Sequence, residues 1–462
     1  MPSDATTPAT KPLSASKTNS RVIVATVVLA AAWLAAYGPT IAGGFIRDDF
    51  GWIYHSRLSG WSSLYSIFAN AQVFYRPVVQ LSFGVTELLF GTNPVPYALT
   101  NLGLGITCAV AIYRLARVVG LAPWAALVAT AVWAFNFHGI NMAIAWLSGR
   151  TSLFGTLFSV LAAIALLRDR GVLAGVFALA AFLSKEEVVA LPLIFTIWIV
   201  INRSSLRAAI GPWIALGVYF VLRQYSGAVG ITDAPPYYQF TFDPGHVATN
   251  IVEYADRSMT LGTLLLIATV ITLRRLPAPT SSEWRIVWMG SVWLILGFAA
   301  TIWLPVRSSL YAVFPSAGFA LAAGSLVTAT VRNVEPRYAW RVAIAGLVLP
   351  FLLLPIYWQR NVRWTELRTL SSATIRAIQA DALPRETLVL LEDDLSHRAN
   401  FRHVFGPLLH EAAALHFDNR LMLWIEPPPP EIDRSAKPSN SAYVVTFRLV
   451  GGRIQLRPLG AN

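Results

Sequence analysis

The stretch RVIVATVVLAAAWLAAYGPTIAGGFIRDDF, residues 21–50, joins a long apolar run to two adjacent carboxylates. The run from Val22 to about Gly43 is too long for the core of a signal peptide and has no convincing cleavage site, so we expect it to remain as a membrane-spanning helix. Residues 1–20, before it, are rich in Ser, Thr, Pro and Lys and are predicted to be a disordered cytoplasmic tail. The first span therefore follows a polar tail and ends in a charged loop.

The composition of the whole chain is typical of a membrane protein. Its 462 residues are 55% hydrophobic and only 13% charged, with a mean hydropathy of +0.55, whereas soluble domains average about 45–50% apolar and about 25% charged residues. A soluble globule is excluded. Apolar runs of about the length needed to cross a ~30 Å hydrocarbon core predict about eleven spans. They lie near residues 22–43, 96–117, 123–138, 151–167, 171–184, 187–202, 208–223, 250–273, 285–304, 310–331 and 339–358.

The distribution of basic residues predicts how these spans are oriented. If the spans alternate, most Arg and Lys residues fall on the side of the N-terminus, which the positive-inside rule assigns to the cytoplasm. An odd number of spans then places residues 361–462 outside, where helical and strand-like segments mix as in a small soluble domain. The predicted fold is mainly α: a polytopic transmembrane domain over 21–360, followed by a small extracytoplasmic α/β domain over 361–462. Membrane lipid is the expected partner, and nucleic acid is not.

The residues that commonly bind metals form no pattern. Cys108 is the only cysteine and lies in an apolar run, so neither an intrachain disulfide nor a cysteine-based metal site is possible. His138 has no second His or Cys at a ligand spacing and is interpreted as structural. We predict no metal site, and the sequence leaves a requirement for a divalent cation open.

Several charged residues fall on the outer side of this topology, against the positive-inside bias. Because they sit in short loops and helix ends that converge on one surface, they predict a charged, water-facing cavity at the outer interface. For any one of them the alternative is a side chain that snorkels to water. The basic members are Arg47, Arg57, Arg76, Arg150, Lys185, Arg223, Arg257, Arg307 and Arg360, and the acidic ones are Asp48, Asp49, Glu186, Glu187, Glu253 and Asp256.

Lys185 is the most distinctive of these charges. It is the only lysine between residues 18 and 436, and it lies in Ser184-Lys185-Glu186-Glu187 between two apolar runs. A lysine is a compact charge that binds phosphate, as an arginine does with its planar fork. A phosphate contact and an internal Lys–Glu ion pair both remain open from the residues alone.

The Asp48-Asp49 pair predicts a general base. Adjacent carboxylates beside an apolar surface repel each other and lose hydration, which raises their proton affinity, whereas Arg47 lowers it. A carboxylate so placed can remove the proton from an attacking hydroxyl. The alternative is a pair of solvated loop carboxylates.

Farther on, Tyr75-Arg76-Pro77 predicts the start of an interfacial helix, with Arg76 facing polar groups.

A set of short strings, in a fixed order, carries a family resemblance. The chain resembles the membrane portion of the transmembrane and tetratricopeptide-repeat O-mannosyltransferase-like family, in the GT-C class of polyprenyl-phosphate-sugar-dependent glycosyltransferases. The resemblance covers roughly residues 40–320, and no 34-residue repeat follows residue 360. The strings are Asp48-Asp49, Tyr75-Arg76-Pro77 with Leu81-Ser82-Phe83, Trp146-Leu147-Ser148-Gly149-Arg150, Leu183-Ser184-Lys185-Glu186, and Arg307 with Tyr311 and Pro315-Ser316.

The resemblance implies a hexosyltransferase-like enzyme that transfers a sugar from a polyprenyl phosphate to a protein, lipid or glycan acceptor on the extracytoplasmic face. It implies a catalytic carboxylate, Asp48 or Asp49, in an outer loop over residues 43–95. Its candidate donor-phosphate ligands are Arg76, Arg150, Lys185 and Arg307. Its candidate supporting residues are Arg47, Tyr75, His138, Glu186 and Tyr311. The Ala- and Arg-rich composition favours a bacterial inner membrane, with the endoplasmic reticulum as the alternative.

Two other classes of function fit a polytopic chain. A transporter or lipid flippase places charges near the membrane midplane, often in two related halves, whereas here the charges cluster at one face and no halves match. A non-catalytic scaffold has no need of Asp48 and Asp49 beside Arg47. The glycosyltransferase is therefore the preferred hypothesis.

Overall fold

The computed structural model describes residues 15–71, 74–228, 230, 233–332, 334, 345–346, 348–430, 432–433, 437 and 443–457. Within them the helices are α1 (Ala15–Tyr37), α2 (Asp48–His55), α3 (Trp61–Ala69), α4 (Pro77–Phe90), α5 (Pro94–Val118), α6 (Pro123–Ala134), α7 (Gly139–Ala145), α8 (Arg150–Leu166), α9 (Gly171–Phe182), α10 (Leu191–Asn202), α11 (Ile210–Tyr225), α12 (Pro244–Leu273), α13 (Ser281–Gly297), α14 (Val313–Val331), α15 (Leu354–Ala380), α16 (Phe401–Phe405) and α17 (Leu409–Phe417). The strands are β1 (Thr387–Glu392), β2 (Leu421–Glu426), β3 (Tyr443–Val450) and β4 (Arg453–Arg457).

The apolar helices form a membrane bundle. Among the described residues, six helices are long and apolar enough to span a membrane by themselves, and a bent pair, α6 with α7, makes a seventh. Helices α9 and α10 have only 12 residues each, about 18 Å of helix, which is shorter than the hydrocarbon core. Part of the predicted span at 339–358 lies outside the described residues, so the expected total of about eleven remains a prediction.

Close helix packing in the bundle depends on small residues. Where α9 crosses α11, a Cβ at Gly211 would lie 2.2 Å from the carbonyl oxygen of Gly171. Where α13 crosses α14, a Cβ at Gly318 would lie 2.5 Å from the carbonyl oxygen of Gly290. Backbones in lipid associate through such close contacts, since burial of apolar side chains gives little driving force there.

Two predicted boundaries are shifted. Helix α1 begins at Ala15, so the last residues of the predicted tail are helical, and residues 1–14 lie outside the described residues. Helix α15 runs through residue 361, where the two domains were predicted to meet. At its start, Trp358 and Asn361 donate hydrogen bonds to the carbonyl oxygens of Ala35 and Ala36 at 2.9 and 3.0 Å, which fixes α15 against α1.

The C-terminal part contains the predicted small α/β fold. Its four-stranded sheet has the order β2-β1-β3-β4, with β1 parallel to both neighbours and β4 antiparallel to β3. Helices α16 and α17 connect β1 to β2, and one apolar core joins them to the loop after α1. That shared core includes Phe45, Ile46, Phe50, Ile53, Phe401, Val404, Phe405 and Leu409. The sheet domain is therefore docked on the segment that carries Asp48 and Asp49.

Candidate active site

Asp49 is buried and fully engaged. Its side chain has no solvent exposure. Oδ1 accepts hydrogen bonds from the backbone N–H and the hydroxyl of Ser148 at 2.9 and 2.6 Å, and Oδ2 accepts one from the N–H of Ile46 at 3.1 Å. Burial raises the pKa of Asp49 to about 6, against the lowering effect of these bonds. Asp49 therefore fastens the loop to the start of α8 and is not presented to a substrate.

Asp48, one residue earlier, faces the other way. Its side chain is exposed to solvent, although protein atoms surround it, and this partial desolvation raises its pKa. The charges of Arg47 and Arg76 oppose that rise. Both carboxylates lie in the first turn of α2, where the helix dipole favours negative charge. Asp48 is thus a solvent-exposed carboxylate surrounded by protein atoms, with Arg47 and Arg76 nearby. We call Asp48, Arg76 and their immediate neighbours the Asp48 site.

Arg76 is an anchored cation whose charge acts on Asp48. It lies at the N-terminus of α4, and its Nε donates to Glu186 Oε2 at 2.8 Å. Its guanidinium carbon lies 4.1 Å from the centroid of the Phe74 ring. Arg223 is on the other oxygen of Glu186, at 3.6 Å. Since Glu186 engages one edge of the Arg76 guanidinium, the remaining N–H groups can bind an anion.

Lys185 is buried next to this cluster. Its Nζ lies 3.1 Å from Glu187 Oε1, donates to the hydroxyl of Ser152 at 2.5 Å, and sits 5.3 Å from the centroid of the Tyr311 ring. Burial lowers the pKa of Lys185, and Glu187 opposes that effect. The ion pair left open by the sequence is present. In this conformation the Lys185 charge reaches an anion only through its electrostatic field, which also acts on Arg76.

Arg150 lies elsewhere, and its predicted phosphate contact is not supported by the geometry. Its side chain is completely buried. Nε donates to Asn101 Oδ1 at 3.1 Å, Nη1 to the hydroxyl of Ser82 at 3.0 Å, and Nη2 to the carbonyl oxygen of Tyr97 at 3.1 Å. The guanidinium also covers the Phe83 ring at 4.2 Å. A guanidinium enclosed in this way ties α4, α5 and α8 together, and its described contacts include neither Asp48 nor Arg76.

Arg307 and His138 belong to a second polar group at the same end of the bundle. Arg307 Nε donates to Asn250 Oδ1 at 2.7 Å, and its Nη1 lies 3.4 Å from Glu253 Oε1. His138 lies 3.4 Å from Asp256 and 3.3 Å from Arg360. The Tyr254 ring lies 6.4 Å from the Tyr311 ring, and Lys185 faces the Tyr311 ring. Among the described contacts, Arg307 binds Asn250, Glu253 and His246 and touches neither Asp48 nor Arg76.

The remaining supporting candidates divide into two kinds. Tyr75 is buried and donates to the carbonyl oxygen of Phe68 at 3.0 Å, which is a structural contact. By contrast, Glu186 binds Arg76, and Tyr311 lies under the Lys185 ammonium group. Arg47 lies at the turn into α2 with φ of 48°, and its Nε donates to the carbonyl oxygen of His403 at 3.0 Å. Arg47 thus connects the loop to the C-terminal domain.

Sequence reasoning missed Tyr238. It lies in Pro236–Tyr238, a short 3₁₀ helix between α11 and α12, with its ring 5.3 Å from Phe74. The charges of Arg76 and Asp48 both act on its hydroxyl. The backbone N–H of Val306 donates to the carbonyl oxygen of Tyr237 at 3.2 Å, which anchors the segment. The run Pro235-Pro236-Tyr237-Tyr238 was the available signal: two prolines followed by two aromatic residues on the charged side.

Within the residues that the structure describes, no group of three or more His, Cys, Asp and Glu side chains is placed to hold a metal ion. The Asp48 site combines one solvent-facing carboxylate and one anchored arginine with a buried lysine, Lys185, next to the Glu186 that anchors the arginine. This arrangement can take a proton from a hydroxyl and stabilise negative charge on a phosphate.

Comparisons with known proteins bear on the fold. No protein-family model matches the chain, and no curated protein matches it. The chain is similar to a crystal structure of ArnT from Cupriavidus metallidurans bound to undecaprenyl phosphate, with a TM-score of 0.53 and 15% identity over 88% of this chain and 86% of that one. It is similar to the same protein in the apo state, with a TM-score of 0.51 and 14% identity over the same shares. The fold is thus of the GT-C type, that of an integral membrane protein.

Proposed function

We propose that this chain is an integral-membrane glycosyltransferase that transfers a sugar from a polyprenyl-phosphate-linked donor to an acceptor. The observation that carries the proposal is Asp48, a solvent-facing but protein-surrounded carboxylate whose pKa is raised, next to an Arg76 that Glu186 holds in place. The GT-C fold and the undecaprenyl phosphate bound by a structural neighbour support it.

The reaction follows from the chemistry of these groups. An acceptor hydroxyl oxygen attacks the anomeric carbon of the donor sugar while Asp48 takes the hydroxyl proton. The bond from the anomeric carbon to the phosphate oxygen breaks, and its electron pair leaves with the polyprenyl phosphate. The fixed charge of Arg76, with the field of Lys185 behind it, stabilises the charge that develops on that phosphate. A single displacement of this kind inverts the anomeric centre.

The finer assignments are part of the same proposal. Asp48 is the general base and Asp49 a positioning residue. Arg76 is the donor-phosphate ligand, Lys185 acts through its field, and Arg307 contacts a more distant part of the substrates. The acceptor is a protein, lipid or glycan on the extracytoplasmic face of a bacterial inner membrane, with the N-terminus cytoplasmic and the C-terminal domain periplasmic. The O-mannosyltransferase-like resemblance rests on the short strings alone.

The test combines lipid-resolved mass spectrometry with a transfer assay. Wild-type protein and Asp48→Asn, purified in native nanodiscs, are examined for co-purified polyprenyl-phosphate sugar, which identifies the donor. We expect Asp48→Asn to retain or enrich the donor and to lose transfer by about 10²–10⁴-fold, the range for one general base. Asp169→Asn is the matched control, because Asp169 is exposed in a left-handed turn that asparagine tolerates.

Two outcomes would overturn the proposal. The first is transfer by Asp48→Asn at the wild-type rate. The second is the absence of any polyprenyl-linked sugar from both proteins after polyprenyl lipids are supplied, combined with lipid flipping or solute uptake in liposomes, which would indicate a transporter or flippase.

A further inference from the structure

Resting on the proposed function, we infer that the C-terminal domain is part of the active site: Arg368 of α15 and the segment 400–411 hold the loop 40–55 so that Asp48 faces solvent beside Arg76. We call this contact the docking seam. The domain is then a positioning element of the enzyme and not an independent module.

Arg368 is the centre of the seam on the side of α15. Its side chain is only 1% exposed. Nε donates to the carbonyl oxygen of Gly44 at 3.0 Å and Nη2 to that of Gly43 at 3.3 Å, while Nη1 donates to the carbonyl oxygen of Thr40. One guanidinium therefore binds three backbone carbonyl groups within residues 40–44, at the exit of the first span. Its five N–H groups in a rigid plane suit this task.

The loop lies against α15 too closely for side chains. Gly43 has φ of +106°, and a Cβ there would lie 2.5 Å from the Cβ of Arg368. A Cβ at Gly44 would lie 2.7 Å from the hydroxyl oxygen of Ser372. The close approach of the loop to α15 therefore explains why glycine occupies both position 43 and position 44.

The segment 400–411 forms the second half of the seam. The backbone N–H of Arg47 donates to the carbonyl oxygen of Val404 at 2.7 Å. The rings of Phe50 and Phe405 stack with centroids 5.6 Å apart. At the end of α2, His55 Nε2 lies 3.6 Å from Glu411 Oε1. These contacts hold both ends of α2, the helix whose first residue is Asp48.

The direction of Asp48 depends on this seam. Among the described residues no side chain donates a hydrogen bond to the Asp48 carboxylate, so its position is set by its backbone and by its neighbour Asp49. Asp49 is bonded to Ile46 and Ser148 and faces two buried cations, Arg368 on α15 and Arg150 on α8, together with Asp48 on its own helix. The positive charge of Arg368 lowers the pKa of Asp49 and so favours its ionised form. Loss of that charge therefore weakens the hydrogen bonds that the ionised Asp49 accepts.

The test compares Arg368→Gln, Arg368→Lys and Arg376→Gln in nanodiscs. Arg376 lies on the same helix with an exposed side chain and is the matched control. Binding is measured with undecaprenyl phosphate, and turnover as release of polyprenyl phosphate from the donor found by mass spectrometry. For Arg368→Gln we expect turnover to fall by about 10²-fold, the effect of misplacing a reacting group by about 1 Å, with unchanged lipid binding. The acid limb of its pH profile moves to higher pH, and Arg368→Lys recovers part of the rate.

Wild-type turnover and pH profile in folded Arg368→Gln would overturn the inference. Should that variant not fold, Phe405→Leu tests the other half of the seam, where we expect a turnover loss of about 10-fold without loss of lipid binding; wild-type turnover there overturns the inference as well. Asp48→Asn, measured in parallel, separates the two proposals: if it transfers normally the proposed function fails, and if only the seam variants are normal the seam alone fails.

Discussion

Replacing Arg150 by methionine distinguishes a structural arginine from a phosphate ligand. Methionine keeps the length and the apolar contact with Phe83 but removes the donors that reach Asn101, Ser82 and Tyr97. Three buried neutral acceptors that lose their partner cost about 1–3 kcal/mol each, or about 3–9 kcal/mol together. Relief of the several kcal/mol spent on desolvating the guanidinium reduces this. We expect Arg150→Met to be destabilised by about 2–4 kcal/mol.

The assay is thermal unfolding of purified protein in detergent, together with undecaprenyl phosphate binding per folded molecule. Arg150→Met should unfold several degrees earlier and bind the lipid as wild type does. Arg76→Met is the comparison, since it should unfold close to wild type and bind the lipid more weakly. The reasoning is refuted by the reverse pattern, in which Arg150→Met keeps its Tm and loses lipid binding.

Three further predictions concern Asp49, Lys185 and Glu186. Burial raises the pKa of Asp49 to about 6, so the contribution of this group to folding stability is present below about pH 4 and is lost as the pH rises through 6. Relative to Asp49→Asn, the wild type should therefore lose about 3 kcal/mol of stability between pH 4 and 7. Curves of Tm against pH that run parallel for the two proteins would contradict this prediction. Lys185→Met leaves Glu187 without a counter-ion and should destabilise by about 3–5 kcal/mol. The double variant Lys185→Met/Glu187→Met should regain the Tm without regaining turnover, whereas recovery of both would make the pair purely structural. Glu186→Gln should weaken undecaprenyl phosphate binding 3- to 10-fold, because Arg76 loses an ion pair of about 1 kcal/mol that holds it in place. Unchanged binding would show that Glu186 does not contribute to the site.

The sequence predicts the parts of this protein that depend on local pattern. Long apolar runs give the spans because lipid requires backbone hydrogen bonds to be satisfied within each helix. The Pro77 and Pro94 helix starts and the alternating residues of β3 follow equally local rules. A polytopic helical domain and the small C-terminal sheet were predictable at this level, whereas the GT-C type of fold was implied by the family resemblance of the short strings.

Other features depend on contacts between distant residues, and the sequence cannot supply them. The partners of Arg150 cannot be recognised from the sequence, because backbone carbonyl groups and neutral side chains accept its hydrogen bonds. An acidic partner would have been visible as a charge pattern. Asp48 and Asp49 are equivalent in sequence, but consecutive residues on a helix point about 100° apart, so that Asp48 faces solvent and Asp49 faces Ser148. Arg368 donates a hydrogen bond to Gly44, which is 324 residues away in the sequence, and no local pattern predicts this contact.

The unbroken course of α15 gives the docking seam a mechanical property. The helix has 27 residues, about 40 Å, and Arg368 lies about 21 Å from its first residue, whose neighbourhood is packed against α1. A tilt of about 5° at the base displaces a point at that height by about 2 Å, more than enough to move a catalytic group out of register. Most of helix α1 belongs to a candidate span, Val22–Ile41, and spans tilt to match the hydrocarbon thickness around them. Because α15 is hydrogen-bonded to α1 and carries Arg368, we expect a change in the tilt of α15 against that span to shift the loop before Asp48, so that bilayer thickness acts on the site mechanically.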